Sequence, residues 1–537
     1  MIKCTGGARV LMMLVMLVLV VVLMQASPAA GQRRYVNRGL TVRAVQPVEA
    51  DPRQNARSVP TAGQGATTTV PLQFQYNPAS AAVTELARAI GRILGQKNKA
   101  AVFSPVSIAS ALSLMLIGAS RETKAELIRV LGFQRYESHL NIIHGLYSNM
   151  LNDLAKTEFS LTPPRWRTSN PCYDDDDDDS GIEGESYPIP TKDTIRVTNA
   201  VFLREGLELS DNFRWSAEKY YNSTASNVPF ATNPDQAARF INAWADRSTE
   251  GKIRDIVSAQ VAAEAEMIVA SALYFKGLWS EPFEQQATEL KPFYPDGHQG
   301  QSKSVPTMIT VGCFPYYDAQ EYDAKIVGLS YQGNTSALYI IMPNNSTRSR
   351  MLDFQSGLTP AVIGEMVFKM KMRKMYLQLP KMSITNTINL RDVLQQLGLR
   401  TLFDRGQSDL SEMIRRRTPI QFSTRLGEQH PSNIVFPVEQ PEPTNGRRQG
   451  SDTISGNAQE VGQDTRVPNQ LHVSEFIHRV ELDINEKGTE GGAITTSTVF
   501  RALPSIHVKV DAPFLLLLGH DETRLPLFYG SIFDPTP

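Results

Sequence analysis

Cysteine is scarce in this 537-residue sequence, with Cys4, Cys172 and Cys313 the only three. That excludes a disulfide framework and leaves stability to a buried core. An excess of either charge is also missing, since 54 Lys and Arg against 55 Asp and Glu leave a net charge of -1. No global field draws nucleic acid or an anionic membrane, and neither is expected as a partner. No apolar run reaches the ~20 residues that a membrane-spanning helix needs. His-Glu-x-x-His, Cys-x-x-Cys, Walker A, Gly-x-Gly-x-x-Gly and Gly-x-Ser-x-Gly are all absent. That weighs against an enzyme and implies no cofactor and no metal. The eight histidines are scattered without ligand spacing. Asp176, Asp178, Ser180 and Gly181 imitate the start of a calcium loop, but Tyr187 stands where a bidentate glutamate is needed.

What is present begins with Lys3 and Arg9, an unbroken apolar run from Val10 to Met24 and small residues up to Gly31. That order reads as a signal peptide over residues 1–31, and it places the protein outside the cell. Residues 32–75 hold no sustained period and read as a disordered arm. One domain is expected over residues 76–537. Helical spacing recurs at Ala82–Leu94, Val102–Gly118, Glu122–Leu131, Ser210–Tyr221 and Pro234–Thr249. Strand-like runs follow at Ile195–Leu203, Met267–Phe275, Ala337–Met342, Met375–Leu379, Val473–Ile484, Ile506–Val510 and Phe514–Leu518. Helices early and strands late indicate an α+β fold with large sheets.

Two segments interrupt that order. The first, at about 161–192, carries six adjacent aspartates, Asp174 to Asp179, among prolines; the second, at about 414–470, is rich in Pro, Gln, Gly and Ser. Both are expected to be insertions. Arg415, Arg416 and Arg417 form a tribasic cluster that is either a processing site or a solvated charge cluster. The alternation Lys369, Met370, Lys371, Met372 suggests an amphipathic strand with a basic outer face. Asn222, Asn334, Asn344 and Asn345 open N-x-Ser/Thr triplets, which are glycan acceptors on the surface of a secreted chain. Cys172 and Cys313 are left over after loss of the leader, with one bond permitted between them.

The segment Glu486 to Ser505 changes character along its length. Gly488 to Ala493 is glycine-rich, whereas Ile494 to Phe500 is dominated by β-branched residues that favour an extended strand. Taken alternately, Thr489, Gly491, Ala493, Thr495, Ser497 and Val499 are all small and uncharged, and Glu490 falls in the other set with Gly492. One face of this segment is therefore suited to burial in a sheet, although the pattern taken alone favours a linker or an ordinary edge strand.

Several motifs in order resemble the serpin family: Phe103-Ser-Pro-Val-Ser-Ile108, Asn242-x-Trp244 with Thr249-x-Gly-Lys-Ile253, and Ser271-Ala-Leu-Tyr-Phe-Lys-Gly-Leu-Trp279. Leu379-Pro-Lys381, His478 to Gly492, Pro513-Phe514 and Leu527-Phe-Tyr-Gly530 complete the set. The resemblance implies a fold of three β-sheets and eight or nine helices with an exposed reactive-centre loop at about 486–505. It also implies a monomeric, secreted, non-enzymatic inhibitor whose partner is a trypsin-like serine protease in an extracellular cascade such as clotting or melanisation. The protease cuts the loop and is trapped as an acyl complex when the loop enters the main sheet.

On the same resemblance, Glu486, Gly488, Thr489, Glu490, Gly491, Gly492 and Ala493 form the hinge. Ser104, Ser107, Ser271, Trp279 and His478 lie where the sheet opens. Ser271 stands where the family usually has Asn, which unsettles the detailed hydrogen bonds there. The bait is Arg501, or by the commonest spacing Ala502 with Leu503; recognition of charge by a deep pocket favours Arg501. A non-inhibitory carrier of the same fold is the alternative, and the small hinge residues argue against it.

Overall fold

A computed structural model describes residues 78–154, 163–168, 172, 193–415, 471–489 and 504–536. Among these are eleven helices and fourteen strands. The helices begin with α1 (Pro78–Gly95), α2 (Pro105–Gly118), α3 (Arg121–Val130), α4 (Leu140–Asp153), the single turn α5 (Arg165–Thr168) and α6 (Asp211–Tyr221). They continue with α7 (Pro234–Ser248), α8 (Ala259–Ala263), α9 (Arg348–Gly357), α10 (Pro360–Lys369) and α11 (Arg391–Gln396).

The main sheet has six strands in the order β2 (Thr224–Val228), β1 (Thr194–Arg204), β3 (Met267–Leu278), β11 (Gly488–Thr489), β10 (Glu475–Asn485) and β9 (Met382–Asn389). Its two faces are sorted by period 2. Met267, Val269, Leu273 and Phe275 of β3 join the large core with α1 and α2, whereas Ile268, Ala270 and Ala272 join Ile241 and Trp244 of α7 on the other side. Helix α2 is buried on nearly every side, so its sequence shows no polar stripe. It starts at Ser104, whose Oγ accepts from the Ser107 N–H at 3.3 Å, with Pro105 in the first turn. Helix α7 instead buries one stripe, Ala237, Ile241, Trp244 and Ala245.

The second sheet has eight strands, with β12 (Ile506–Lys509), β8 (Lys371–Pro380), β5 (Lys303–Ala319), β6 (Ala324–Ser330), β7 (Ser336–Pro343), β13 (Phe514–His520) and β14 (Leu525–Ile532) in order. The eighth strand, β4 (Glu289–Phe293), pairs β5 at its edge. The resemblance implies three sheets, and two are found by hydrogen bonding among the described residues. The reason is β5: its 17 residues pair with β8 from Thr307 to Tyr316 and with β6 from Tyr316 to Ala319, so one strand carries two sheets into each other. The helix count exceeds eight or nine because α5, α8 and α11 are very short.

Three other expectations change. Lys369 ends helix α10 and Met370 caps it, so the basic alternation is not one strand; Lys369 Nζ pairs with Glu321 and Glu365 at 2.7 Å each. Part of the acidic insertion is packed: Trp166 is buried, Arg167 binds Asp521, and Cys172 is disulfide-bonded to Cys313. The start of the second insertion is also anchored, because Ile414 bridges to Leu209 and the Arg415 N–H donates to the Glu208 carbonyl at 2.7 Å. Arg416 and Arg417 lie outside the described residues.

Candidate functional site

The site is the seam between β3 and β10. At one end these strands pair directly and in parallel, from Ile268↔Glu475 to Leu273↔Val480. At the other end β11 stands between them, antiparallel to both, with Gly488 opposite Leu278 and Asn485, and Thr489 opposite Gly277 and Ile484. The direct β3–β10 register ends at Leu273↔Val480, and the β11 pairing starts at Gly277 on β3 and Ile484 on β10. Gly488 and Thr489, two of the residues expected at the hinge, thus stand between β3 and β10.

Glycine is required at 488. Its φ is +154°, and a Cβ there would sit 2.2 Å from the Gly277 carbonyl oxygen and 2.8 Å from the Leu278 Cα, both backbone atoms that cannot give way. Thr489 is buried and its Oγ1 lies 2.7 Å from the Tyr331 hydroxyl. Burial pushes the Tyr331 pKa well above its ordinary value, so this bond joins two neutral hydroxyls.

The turn leading to the hinge is fixed on three sides. The Trp279 N–H donates to the Lys487 carbonyl at 3.0 Å, its Nε1 donates to the Asn485 carbonyl at 2.9 Å, and the Phe283 N–H donates to the Glu486 carbonyl at 2.8 Å. Trp279 is fully buried and stacks on Tyr331 with 4.5 Å between ring centroids. Glu486 is buried, pairs with Lys381 Nζ at 3.0 Å and accepts from Thr288 Oγ1 at 2.8 Å. Burial opposes its ionisation, but its own backbone N–H, Lys381 and Thr288 outweigh that and hold its pKa below the ordinary value.

Four of the five residues expected at the sheet opening meet at the paired end of the seam. His478 faces Ser271 across the strands, and its Nε2 accepts from the Ser104 N–H at 2.9 Å. The proton must then be on Nδ1, which lies 3.2 Å from both the carbonyl oxygen and Oγ of Ser271. Ser271 Oγ donates to Ser107 Oγ at 3.0 Å, and Ser107 Oγ donates to the Ser104 carbonyl at 3.3 Å. Burial lowers the His478 pKa to about 3, so the ring is neutral and the chain of donors is fully ordered. Asn199 of β1 completes it, its amide turned so that oxygen accepts from Ser110 Oγ and nitrogen donates to the Ser107 carbonyl at 3.2 Å. Trp279 belongs to the other, opened end of the seam.

Sequence reasoning missed Tyr331, Asn199 and Asp193, none of which lies in a recognisable local pattern. Glu490, Gly491, Gly492, Ala493, Arg501, Ala502 and Leu503 lie outside the described residues. Asn222, Asn334 and Asn345 are exposed, whereas Asn344 is half-buried and donates to Asp323 Oδ1 at 2.8 Å. Among the described residues no cluster of His, Cys, Asp and Glu has the arrangement to hold a metal ion, and no helix is long and apolar enough to cross a membrane.

Fold and site together define an α+β protein whose main sheet holds the two-residue strand β11 between β3 and β10 at one end. A family described as "Serpin (serine protease inhibitor)" matches residues 81–535. The chain is 30% identical over 452 residues to serine protease inhibitor 28Dc of Drosophila melanogaster, covering 82% of this chain and 77% of that one. It is 25% identical to serine proteinase inhibitor A3K of Cavia porcellus over 84% of this chain and 88% of that one. In fold it is similar to serpin-12 of Manduca sexta, with a TM-score of 0.60 at 22% identity over 85% of this chain and 99% of that one. It is likewise similar to thyroxine-binding globulin, with a TM-score of 0.63 at 19% identity over 85% of this chain and 99% of that one. The chain belongs to the serpin family.

Proposed function

We propose that this protein is a secreted inhibitor of a trypsin-like serine protease, acting as a suicide substrate cut after Arg501. The observation that carries the reading is the register of β11. Continued along the seam, that register sets Gly491 opposite Phe275, Ala493 opposite Leu273 and Val480, and Thr495 opposite Ser271 and His478. Thr489, Gly491, Ala493, Thr495, Ser497 and Val499 then all project toward the α2 side, where Leu273, Val480 and Leu482 form the core. These are the small, uncharged members of the segment. Glu490 falls on the opposite face beside exposed Lys276.

Insertion has to break the direct β3–β10 pairing and the His478–Ser271 bonds, and it supplies a threonine at that point. Cleavage frees the loop to travel, and the acyl ester on the protease serine is carried to the far end of the sheet. A shift of about 1 Å in the protease's catalytic groups is enough to stop deacylation. Arg501 is the bait because a trypsin-like pocket reads its charge, with Ala502 on the departing side. Asn222, Asn334 and Asn345 are the glycan acceptors.

Incubation with trypsin, followed by denaturing electrophoresis and mass spectrometry, tests this. The expected product is an SDS-stable complex together with a released peptide beginning at Ala502. Quantitative cleavage with no complex would sink the inhibitory reading, and a peptide beginning at Leu503 would move the bait to Ala502.

A further inference from the structure

Beside the seated hinge lies a carboxyl group that nothing in the inhibitory reading uses. Asp193, the residue preceding β1, is 4% exposed. Its Oδ2 accepts from Thr335 Oγ1 at 3.3 Å, whereas its buried Oδ1 has no partner of full hydrogen-bond geometry, the nearby Gly333 N–H and Ser336 acting on the carboxyl only weakly. The group is wedged against the hinge's own contacts. A Cβ on Gly277, the residue that pairs with Thr489, would lie 3.0 Å from Asp193 Oδ1 and 2.7 Å from the Tyr331 ring. A Cβ on Gly333, in the turn that carries Tyr331, would lie 2.6 Å from the Asp193 Cγ. Asp193, Gly277, Tyr331 and Gly333 are thus packed together, and Tyr331 is the residue bonded to Thr489.

The charged groups around Asp193 do not neutralise it. Arg167 of α5 acts on it, but that guanidinium is committed to Asp521 at 2.5 Å and to the Ser336 carbonyl at 2.7 Å. Asp521 also accepts from the Tyr339 hydroxyl at 2.7 Å, which leaves Arg167 and Asp521 a closed pair. Tyr331 stays neutral, and Lys276 beside Gly277 is exposed on the other face of β3. Burial raises the Asp193 pKa to about 7, against the weaker pull of Thr335, the Gly333 N–H, Arg167 and Ser336.

We propose that Asp193 is a positioning residue for the hinge: as a neutral carboxyl it keeps the Tyr331 turn closed over Gly277 and holds Thr489 in the sheet, and loss of its proton to solvent loosens that turn and releases Thr489. The sign follows from burial. The neutral form is the one that tolerates an unpartnered oxygen, so the seated hinge is favoured at acid pH and loses ground tenfold per pH unit once the carboxyl ionises. This concerns the same hinge as the inhibitory reading, yet its readout needs no protease, so the two can fail separately.

The sequence supplies a reporter in Trp279, stacked on Tyr331 and one of only four tryptophans. Fluorine NMR of the full chain labelled with 5-fluorotryptophan, titrated from about pH 5.5 to 8.5, reads it directly. The Trp279 resonance is expected to move with a midpoint near neutrality in the wild type and to hold its acid position in Asp193→Asn, whose amide mimics the protonated carboxyl. Thr335→Val, which removes a donor to the carboxylate, is expected to move the midpoint upward. A stationary wild-type resonance, the same titration in Asp193→Asn, or an unmoved midpoint in Thr335→Val would each overturn the proposal.

Discussion

Replacing Ala493 by arginine is expected to turn the inhibitor into a substrate. With the β11 register continued, residue 493 comes to lie between Leu273 and Val480, both fully buried and facing α2. Insertion of about ten residues makes roughly twenty ladder hydrogen bonds and breaks roughly six, a net gain on the order of 10 kcal/mol at ~1 kcal/mol each. A buried, unpaired guanidinium costs about 3–5 kcal/mol, which lowers the drive without abolishing it. If about half of that cost is felt while the strand is entering, insertion slows by roughly tenfold or more. Deacylation then wins the race. The assay is the number of inhibitor molecules consumed per trypsin inactivated, followed with electrophoresis of the cleaved and complexed forms. Ala493→Arg is expected to raise that number about tenfold, whereas Glu490→Arg, on the exposed face between Lys276 and Asp483, changes it little. Equal damage from both substitutions, or none from Ala493→Arg, would refute the register and the face assignment together.

Two further outcomes follow from the two ends of the seam. His478 has its pKa lowered by burial to about 3, so the stability tied to its neutral ring is complete above pH 6.5 and is lost as pH falls toward 3. The total is on the order of 5 kcal/mol. Thermal unfolding at pH 7 and pH 4.5 should show a loss on acidification that is smaller in His478→Gln. Gly488→Ala places a Cβ against the backbone of Gly277 and Leu278 and is expected to expel the hinge. Hydrogen exchange at Gly277 and Trp279, whose amides face the hinge segment, should then accelerate with the rest of β3 unaffected, and unchanged protection there would contradict the close contact.

Much of the fold was legible because it rests on local periodicity. The apolar runs of β3 and β10, the apolar segment of α2 and the helical spacing of α7 can each be read in a short window. The joining of the sheets through β5 could not, because a long strand gives no sign of where its partner changes. The alternation of small residues after Thr489 showed that one face suits burial, but the slot proposed for it rests on the pairing of Gly488 and Thr489 with β3 and β10. His478, Ser271, Ser107 and Ser104 were singled out through resemblance, and their order as donors came from the geometry of one imidazole. Tyr331 and Asp193 left no trace in sequence because each packs against a residue more than eighty positions away.

The central claim is that the cleaved loop becomes a strand of the main sheet, and thermal unfolding of the intact and the loop-cleaved protein tests it most directly. A gain on the order of 10 kcal/mol in a domain of this size corresponds to a rise of about 10 °C or more in Tm after cleavage. A cleaved protein that melts with the intact one would contradict the account.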